Sequence, residues 1–487
     1  MDKILRLLGF RYATAALVLV AVLALYGAAT LSRPAERTRA AAKSAEAPVT
    51  WASLVCPWGG EDGRMSVLTP PKGSPGAGSG GGRVDVVQTT DGKPVASVPN
   101  AGTSWAKDVR RAENDSYTVR GGGALAAGLE AERTVHWGGG PDRGLAGTRC
   151  ARPGTDAWFL GPGPVAAERI ELYLTNVDAQ PASVDVTALS GEGPLDTVDG
   201  HGTPVEPYRT KIVRIGGSAE GLGDIVTTAR DLALRVRATT GRVAASVRVR
   251  IGEKKGIEWM PQAPAPATSL VVPGVPGGGG RRQLLVGVPG EQDARIRIQV
   301  ITTSGAFAPQ GQDVLDAPAE TVTPLDLDRA LSGKPAAVRL VSDRPIVAGL
   351  SAQRGADVAF GTATLPLGPH GGLVTDNRFA AYLQLTAPAG AATVRVTAVD
   401  AQGQGTPQDV RIGAGRTVEI KLAGPRPGGA GYGALIVPRP GSGPVHAART
   451  LSTGKGDTGL LTILPIGPAA TTVTLPPVGD SQTALIP

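Results

Sequence analysis

The sequence predicts an all-β protein: an N-terminal transmembrane helix followed by about four tandem immunoglobulin-like β-sandwich modules. Three observations carry this prediction. First, ASVDVTALSGEG (Ala182–Gly193) returns as ATVRVTAVDAQG (Ala392–Gly403), each an alternation of apolar and polar residues ending in a glycine turn. Period two marks a strand with one buried face, because successive side chains leave opposite sides of a sheet. Second, the pattern recurs in ARIRIQVITTSG and GRVDVVQTTDG, placing equivalent anchors at Val84, Val184, Ile296 and Val394, with steps of 100, 112 and 98 residues. Solenoid and propeller units repeat every ~20 to 50 residues, whereas an immunoglobulin-type sandwich needs about 100. Third, YATAALVLVAVLALYGAATLS (residues 12–32) is an uncharged run of 21 residues.

Taken in chain order, residues 1–11 form a short tail carrying Lys3, Arg6 and Arg11, and residues 12–32 form the span. At 1.5 Å per residue that run reaches roughly 30 Å, the thickness of a bilayer core. A cleaved signal peptide has a shorter apolar core with a small-residue site directly after it. Here Ala40–Ala42 lie beyond Arg33, Glu36, Arg37 and Arg39, so a retained signal anchor is expected, with 33–50 as a juxtamembrane linker.

Residues 51–153 make the first module, bracketed by the only two cysteines, Cys56 and Cys150. A pair so placed suits a disulfide in an oxidising compartment, which puts the large domain on the extracytoplasmic side of the membrane. Within this module PPKGSPGAGSGGG (70–82) reads as a flexible loop. Residues 154–260 make the second module, with the alternating strands LALRVRATT and ASVRVRIG. PQAPAPATSLVVPGVPGGGG (261–280) reads as an extended Pro/Gly linker. Residues 281–370 and 371–487 make the third and fourth modules, the fourth with added C-terminal strands from TILPIGPAATTVTLPPVGD. IELYLTN, QLLVGVPG and YLQLTAP stand at one offset before the anchors of modules two to four. Helical candidates are few and short: SWAKDVRRAEND near 104 and LDLDRAL near 325.

Charge argues against a nucleic-acid partner. The chain is +7, but residues 1–50 hold seven Lys or Arg and three Asp or Glu, so the remainder is only +3. Arginines alternating on the strands read as a solvated sheet face. Catalytic signals are sparse. His136, His201, His370 and His446 lie far apart without metal-ligand spacing, so no metal or cofactor is expected. GAGSGG (76–81) matches a dinucleotide fingerprint without the βαβ context that gives it meaning. GSGP at Ser442 falls short of a nucleophile elbow, and Glu61–Asp62, set between glycines, reads as a solvated turn. Trp51, Trp58 and Trp158 stand near module starts, where packing at a core or junction is expected. No catalytic, cofactor-binding or metal residue is therefore assigned; Cys56 and Cys150 are the site residues.

The basic tail, the apolar span and the module opening DAWFLGPGP followed by RIELYLTNVDAQPASVDVTALSGEG resemble the DUF5719 family of actinobacterial membrane-anchored proteins. The resemblance implies no activity; it implies an accessory part in envelope polysaccharide assembly, with a membrane glycosyltransferase or an envelope polysaccharide as partner. The function expected is a non-catalytic, membrane-anchored scaffold or interaction protein of the cell envelope. The alternative is a cryptic envelope enzyme or carbohydrate-binding module with its site at a module junction.

Overall fold

A computed structural model describes residues 2–31, 45–72, 81–140, 142–403, 405–425, 431–454 and 456–475. The chain divides into two units, residues 1–47 with 474–487, and residues 48–473. The first holds a helix, Asp2–Leu31, and most of a two-stranded sheet that pairs Ala45–Pro48 with Thr472–Leu475. Among the described residues no helix is long and apolar enough to cross a membrane. The side chains of the tail lie outside the described residues, as do residues 33–44 of the juxtamembrane segment and 73–80 of the glycine-rich loop, which covers most of GAGSGG.

The second unit is all-β and consists of four sandwiches with one strand order. In the first, eight strands from Trp51–Cys56 to Gly144–Arg149 form two antiparallel sheets, ordered 1-6-3-4 and 5-2-7-8. The second (Asp156–Met260) and fourth (Gly372–Ile466) repeat that order. The third (Ala267–Thr362) does so with strands six and seven fused into one 19-residue strand, Ala336–Arg354, that passes from one sheet to the other. Immunoglobulin constant domains arrange seven strands as ABED against CFG. The two-sheet sandwich therefore stands, but its strand order differs from the immunoglobulin one.

The anchors occupy equivalent places. Val84, Val184, Ile296 and Val394 all lie on third strands and are 0% exposed, as period two requires. The turn after the third strand also recurs. Ser190 Oγ donates to Gly193 O (2.9 Å) and Thr302 Oγ1 to Gly305 O (3.0 Å), with the glycines at φ 134° and 141°. Those angles exclude a side chain, which explains the glycine ending these two repeats; Gly92 and Gly403, which end the other two, lie in the left-handed region at φ 68° and 73°.

Three expectations change. The segment 261–280 contains the first strand of the third sandwich, Ala267–Val275, whose Pro273–Gly274 step sits at a break in the pairing register and so resembles a linker in sequence. SWAKDVRRAEND is a strand, Ser104–Val109, followed by a 3-10 turn, Arg111–Glu113. LDLDRAL is the end of strand Val322–Asp326 plus a single helical turn, Asp328–Leu331.

The sandwiches do not form a line. Each eighth strand packs onto the sandwich before its own. Ile257 and Trp259 of the second meet Val135 and Ala146 of the first, and Val358 and Phe360 of the third enter the core of the second. Leu461 and Ile463 of the fourth enter the core of the third, while Leu145 of the first enters the core of the fourth. The four modules thus close into a ring, and their eighth strands meet at its hub. Apolar burial drives each of these contacts, worth about 1.5–3 kcal/mol per fully buried large side chain.

Candidate functional site

The ring's junctions carry buried charge. Where the fourth module meets the first, Arg449 and Glu132, both 0% exposed, form an ion pair with Arg449 Nη2 2.6 Å from Glu132 Oε2. Arg449 Nη1 donates to Asn377 Oδ1 (2.7 Å) and to the Thr375 carbonyl, and Thr375 N donates back to Glu132 Oε2 (3.2 Å). Beside them Thr134 Oγ1 is hydrogen-bonded to Asp376 Oδ2 and accepts from Arg378 Nη2 (2.9 Å). Burial pushes the Glu132 carboxyl up, and the Arg449 guanidinium opposes it.

Where the second module meets the first, Arg248 pairs with Glu61 and, at 3.2 Å, with Glu171. This corrects two sequence expectations: Glu61 is 4% exposed and lies at a junction, not in a solvated turn, and Arg248 has left the wet face its strand pattern suggests. Its neighbour Asp62 accepts from Arg111 N (2.6 Å).

At the hub two carboxyls hold the edges of neighbouring eighth strands. Glu258 Oε1 accepts from Gly147 N (3.0 Å) of the first module, and Asp357 Oδ2 accepts from Leu461 N (2.8 Å) of the fourth. Among the described residues, Glu258 Oε2 and Asp357 Oδ1 are buried and make no hydrogen bond of normal geometry. Desolvation raises both, Glu258 well above the carboxylate range and Asp357 to about 7, so both favour the neutral acid.

At the hub, segments from all four modules line a cleft of about 420 Å³. Its lining is mostly apolar, with prolines from modules one, two and four, and includes the polar Thr148, Ser246, Gln262, Thr362 and Thr364. Three charged residues line it: Glu130, Arg149 and Arg152. Arg149 Nε donates to Glu130 Oε1 at 3.0 Å and Nη2 to Glu130 Oε2, which fixes the guanidinium plane.

The disulfide expected from sequence is present. Cys56 and Cys150 are bonded with Cα atoms 4.3 Å apart, joining the first strand of module one to the residue after its eighth. The histidines stay dispersed. His136 faces Phe379 with centroids 5.5 Å apart. His201 sits between Asp196 (2.8 Å) and Asp185 (3.4 Å), and the Asp185 hydrogen bond, chief among those contacts, raises its pKa. His370 lies beside the junction of modules one and four, near Leu373 and Gly128. His446 is hydrogen-bonded to Thr364 O (3.0 Å), and burial pushes it down to about 4. Among the described residues no group of three or more His, Cys, Asp or Glu could hold a metal ion. Ser442 Oγ closes a turn by donating to Thr393 O (3.0 Å). Trp158 is buried at the junction of modules two and three with Leu285 and Val347, as expected, whereas Trp51 is 61% exposed.

The profile of DUF5719, a family of unknown function, matches residues 106–423, more than half of the chain. No curated protein matches. Among solved structures, a tetra-tandem repeat in the extending region of a large adhesion protein aligns with 88% of this chain and 100% of its own, at 14% identity. Its TM-score of 0.09 is too low to carry an argument.

Proposed function

We propose, for a chain that belongs to DUF5719, a family of unknown function, a non-catalytic role as a membrane-anchored extracytoplasmic scaffold or interaction protein of the cell envelope. The observation that supports this most is the ring: four like sandwiches whose eighth strands pack against the neighbouring module and whose ends are joined by a buried ion pair. Such closure fixes the surface loops of all four modules relative to one another, which is what holding a partner in place requires. The Cys56–Cys150 bond supports an oxidising compartment. The anchor reading rests on the uncharged run at 12–32. The partner proposed from the family resemblance is a membrane glycosyltransferase or the envelope polysaccharide it makes.

Catalysis at the hub cleft is the weaker reading, because the one carboxylate lining it, Glu130, has both oxygens occupied by Arg149. Acid–base work needs a group free to exchange a proton with substrate. Affinity isolation of the full chain from cross-linked, gently solubilised membranes tests the proposal. Co-isolation of a membrane glycosyltransferase or of envelope polysaccharide is expected; recovery of the chain alone overturns the partner. Protease added to intact cells with a permeable wall should degrade residues 50–487, and protection of that region reverses the orientation.

A further inference from the structure

The hub cleft has the composition of a ligand site that the scaffold role does not use. Its volume of about 420 Å³ falls within the roughly 300–1,000 Å³ of small-molecule pockets, and junctions between domains are where such pockets concentrate. Two cations face one anion across its lining, Arg149 and Arg152 against Glu130, leaving a net positive charge. Arg149 spends Nε and Nη2 on Glu130. Its Nη1 makes no protein hydrogen bond among the described residues, and the carboxylate holds it in a fixed plane. Gly467, from the fourth module, keeps the approach open: a Cβ there would stand 3.4 Å from Nη1. Arg152 donates Nη2 to Leu129 O (3.1 Å), which holds its head near the cleft with further donors unspent. Beyond the guanidinium heads the lining is mostly apolar, from prolines, alanines and the exposed Leu365, and it is interrupted by Thr148, Ser246, Gln262, Thr362 and Thr364.

A pre-oriented guanidinium with a spare edge suits a carboxylate or phosphate oxygen, and a second cation beside it adds to the attraction. A mostly apolar lining suits a hydrocarbon body better than the hydroxyls of a neutral sugar. Among the described residues Phe159 is the only aromatic in the lining, and it belongs to the core of the second module, so they offer no stacking platform for a pyranose. We infer that the hub cleft binds a small organic anion, one singly charged head on a compact apolar body, with the head on Arg149 and Arg152 and the body against the apolar part of the lining.

The test uses the purified full chain in lipid nanodiscs, with empty nanodiscs as the blank. 2-Naphthoate, its neutral amide 2-naphthamide, and glucuronate, an anion with a polar body, are titrated by calorimetry. One naphthoate should bind per chain, and the amide and glucuronate should each bind about tenfold more weakly or less, since a charge-assisted hydrogen bond and a buried ring each contribute more than the ~1.4 kcal/mol of one decade. Arg152→Gln, an exposed position, should weaken naphthoate about tenfold, and Gly467→Val should abolish its binding by filling the space before Arg149 Nη1. Thermal unfolding of both variants should match the parent, which separates a lost site from a lost fold. Absence of saturable naphthoate binding, equal binding of the amide, tighter binding of glucuronate, or unchanged affinity in a folded Gly467→Val protein each overturn the inference.

Discussion

Replacing Glu132 by Gln tests the closure of the ring where first and last modules meet. The substitution keeps shape but leaves the Arg449 guanidinium, 0% exposed, without an anion. Breaking one side of a buried pair costs about 3–5 kcal/mol, because the remaining charge has neither water nor a partner. Against this stand four apolar side chains buried across the same junction: Leu145 in the core of the fourth module, and Leu68 packed with Leu373 and Val399. At about 1.5–3 kcal/mol each they contribute roughly 6–12 kcal/mol. Burial exceeds the electrostatic loss, so the ring should stay closed and become less stable. Chemical denaturation should show the deficit, while small-angle scattering should give an unchanged radius of gyration. Hydrogen exchange should quicken first in strands Glu130–Trp137 and His446–Thr453. The double variant Glu132→Leu/Arg449→Met should recover most of the loss, since no charge is left unpaired. A deficit under about 1 kcal/mol in Glu132→Gln, or a double variant as unstable as the single one, would refute the buried-pair argument.

Three further outcomes follow from the same structure. Asp357, raised by burial from 3.8 to about 7, binds its proton more tightly when folded; that stabilisation is complete below pH 3.8 and is lost as pH rises through about 7. The parent should therefore lose about 2.5 kcal/mol between pH 5 and pH 8 relative to Asp357→Asn, measured by denaturant midpoints, and parallel curves would sink the idea. Gly349→Val should destabilise the junction of modules two and three by about 1–3 kcal/mol, because its Cβ would come within 2.7 Å of Leu160 Cβ; an unchanged melting temperature counts against that packing. Cys56→Ala/Cys150→Ala should cost about 4–5 kcal/mol, from the entropy of a 94-residue closure in the unfolded chain, with non-reducing peptide mapping of the parent as the check on the bond.

What could be seen in the sequence was whatever is encoded locally. The third strands announce themselves because Val184, Val186 and Ala188 alternate with Asp185 and Thr187 and because Gly193 must take a positive φ, both properties of a few adjacent residues. The strand Ala267–Val275 escaped because Pro273–Gly274, which breaks its register, is also what a linker looks like. Glu61 escaped for a related reason: GGEDG has the composition of an exposed turn, and only Arg248, far along the chain, takes it out of water. The ring itself has no local signature. Glu130 and Glu132 lie on one side of their strand, and a polar face is written the same way whether water or another module covers it. The cleft is hidden for the same cause, since its lining comes from connecting segments of four modules.

Packing of each eighth strand against the neighbouring sandwich changes what a module is in this chain. Remove the third sandwich and the second loses Val358 and Phe360 from its core; remove the first and the fourth loses Leu145. Each core is therefore incomplete alone, unlike beads on a string, where stability is a sum over units and their neighbours. Much of the pairing that completes the ring joins residues far apart in sequence, the latch across 317 positions, so the entropy of closing long loops must be met before those contacts form. Completing the last junction is thus expected to come late in folding. It also explains why buried ions are placed there. An apolar seam alone would let a module settle against any greasy surface, whereas both Nη groups of Arg449 find partners where Glu132, Thr375 and Asn377 converge, so the pair selects the partner that closes the ring.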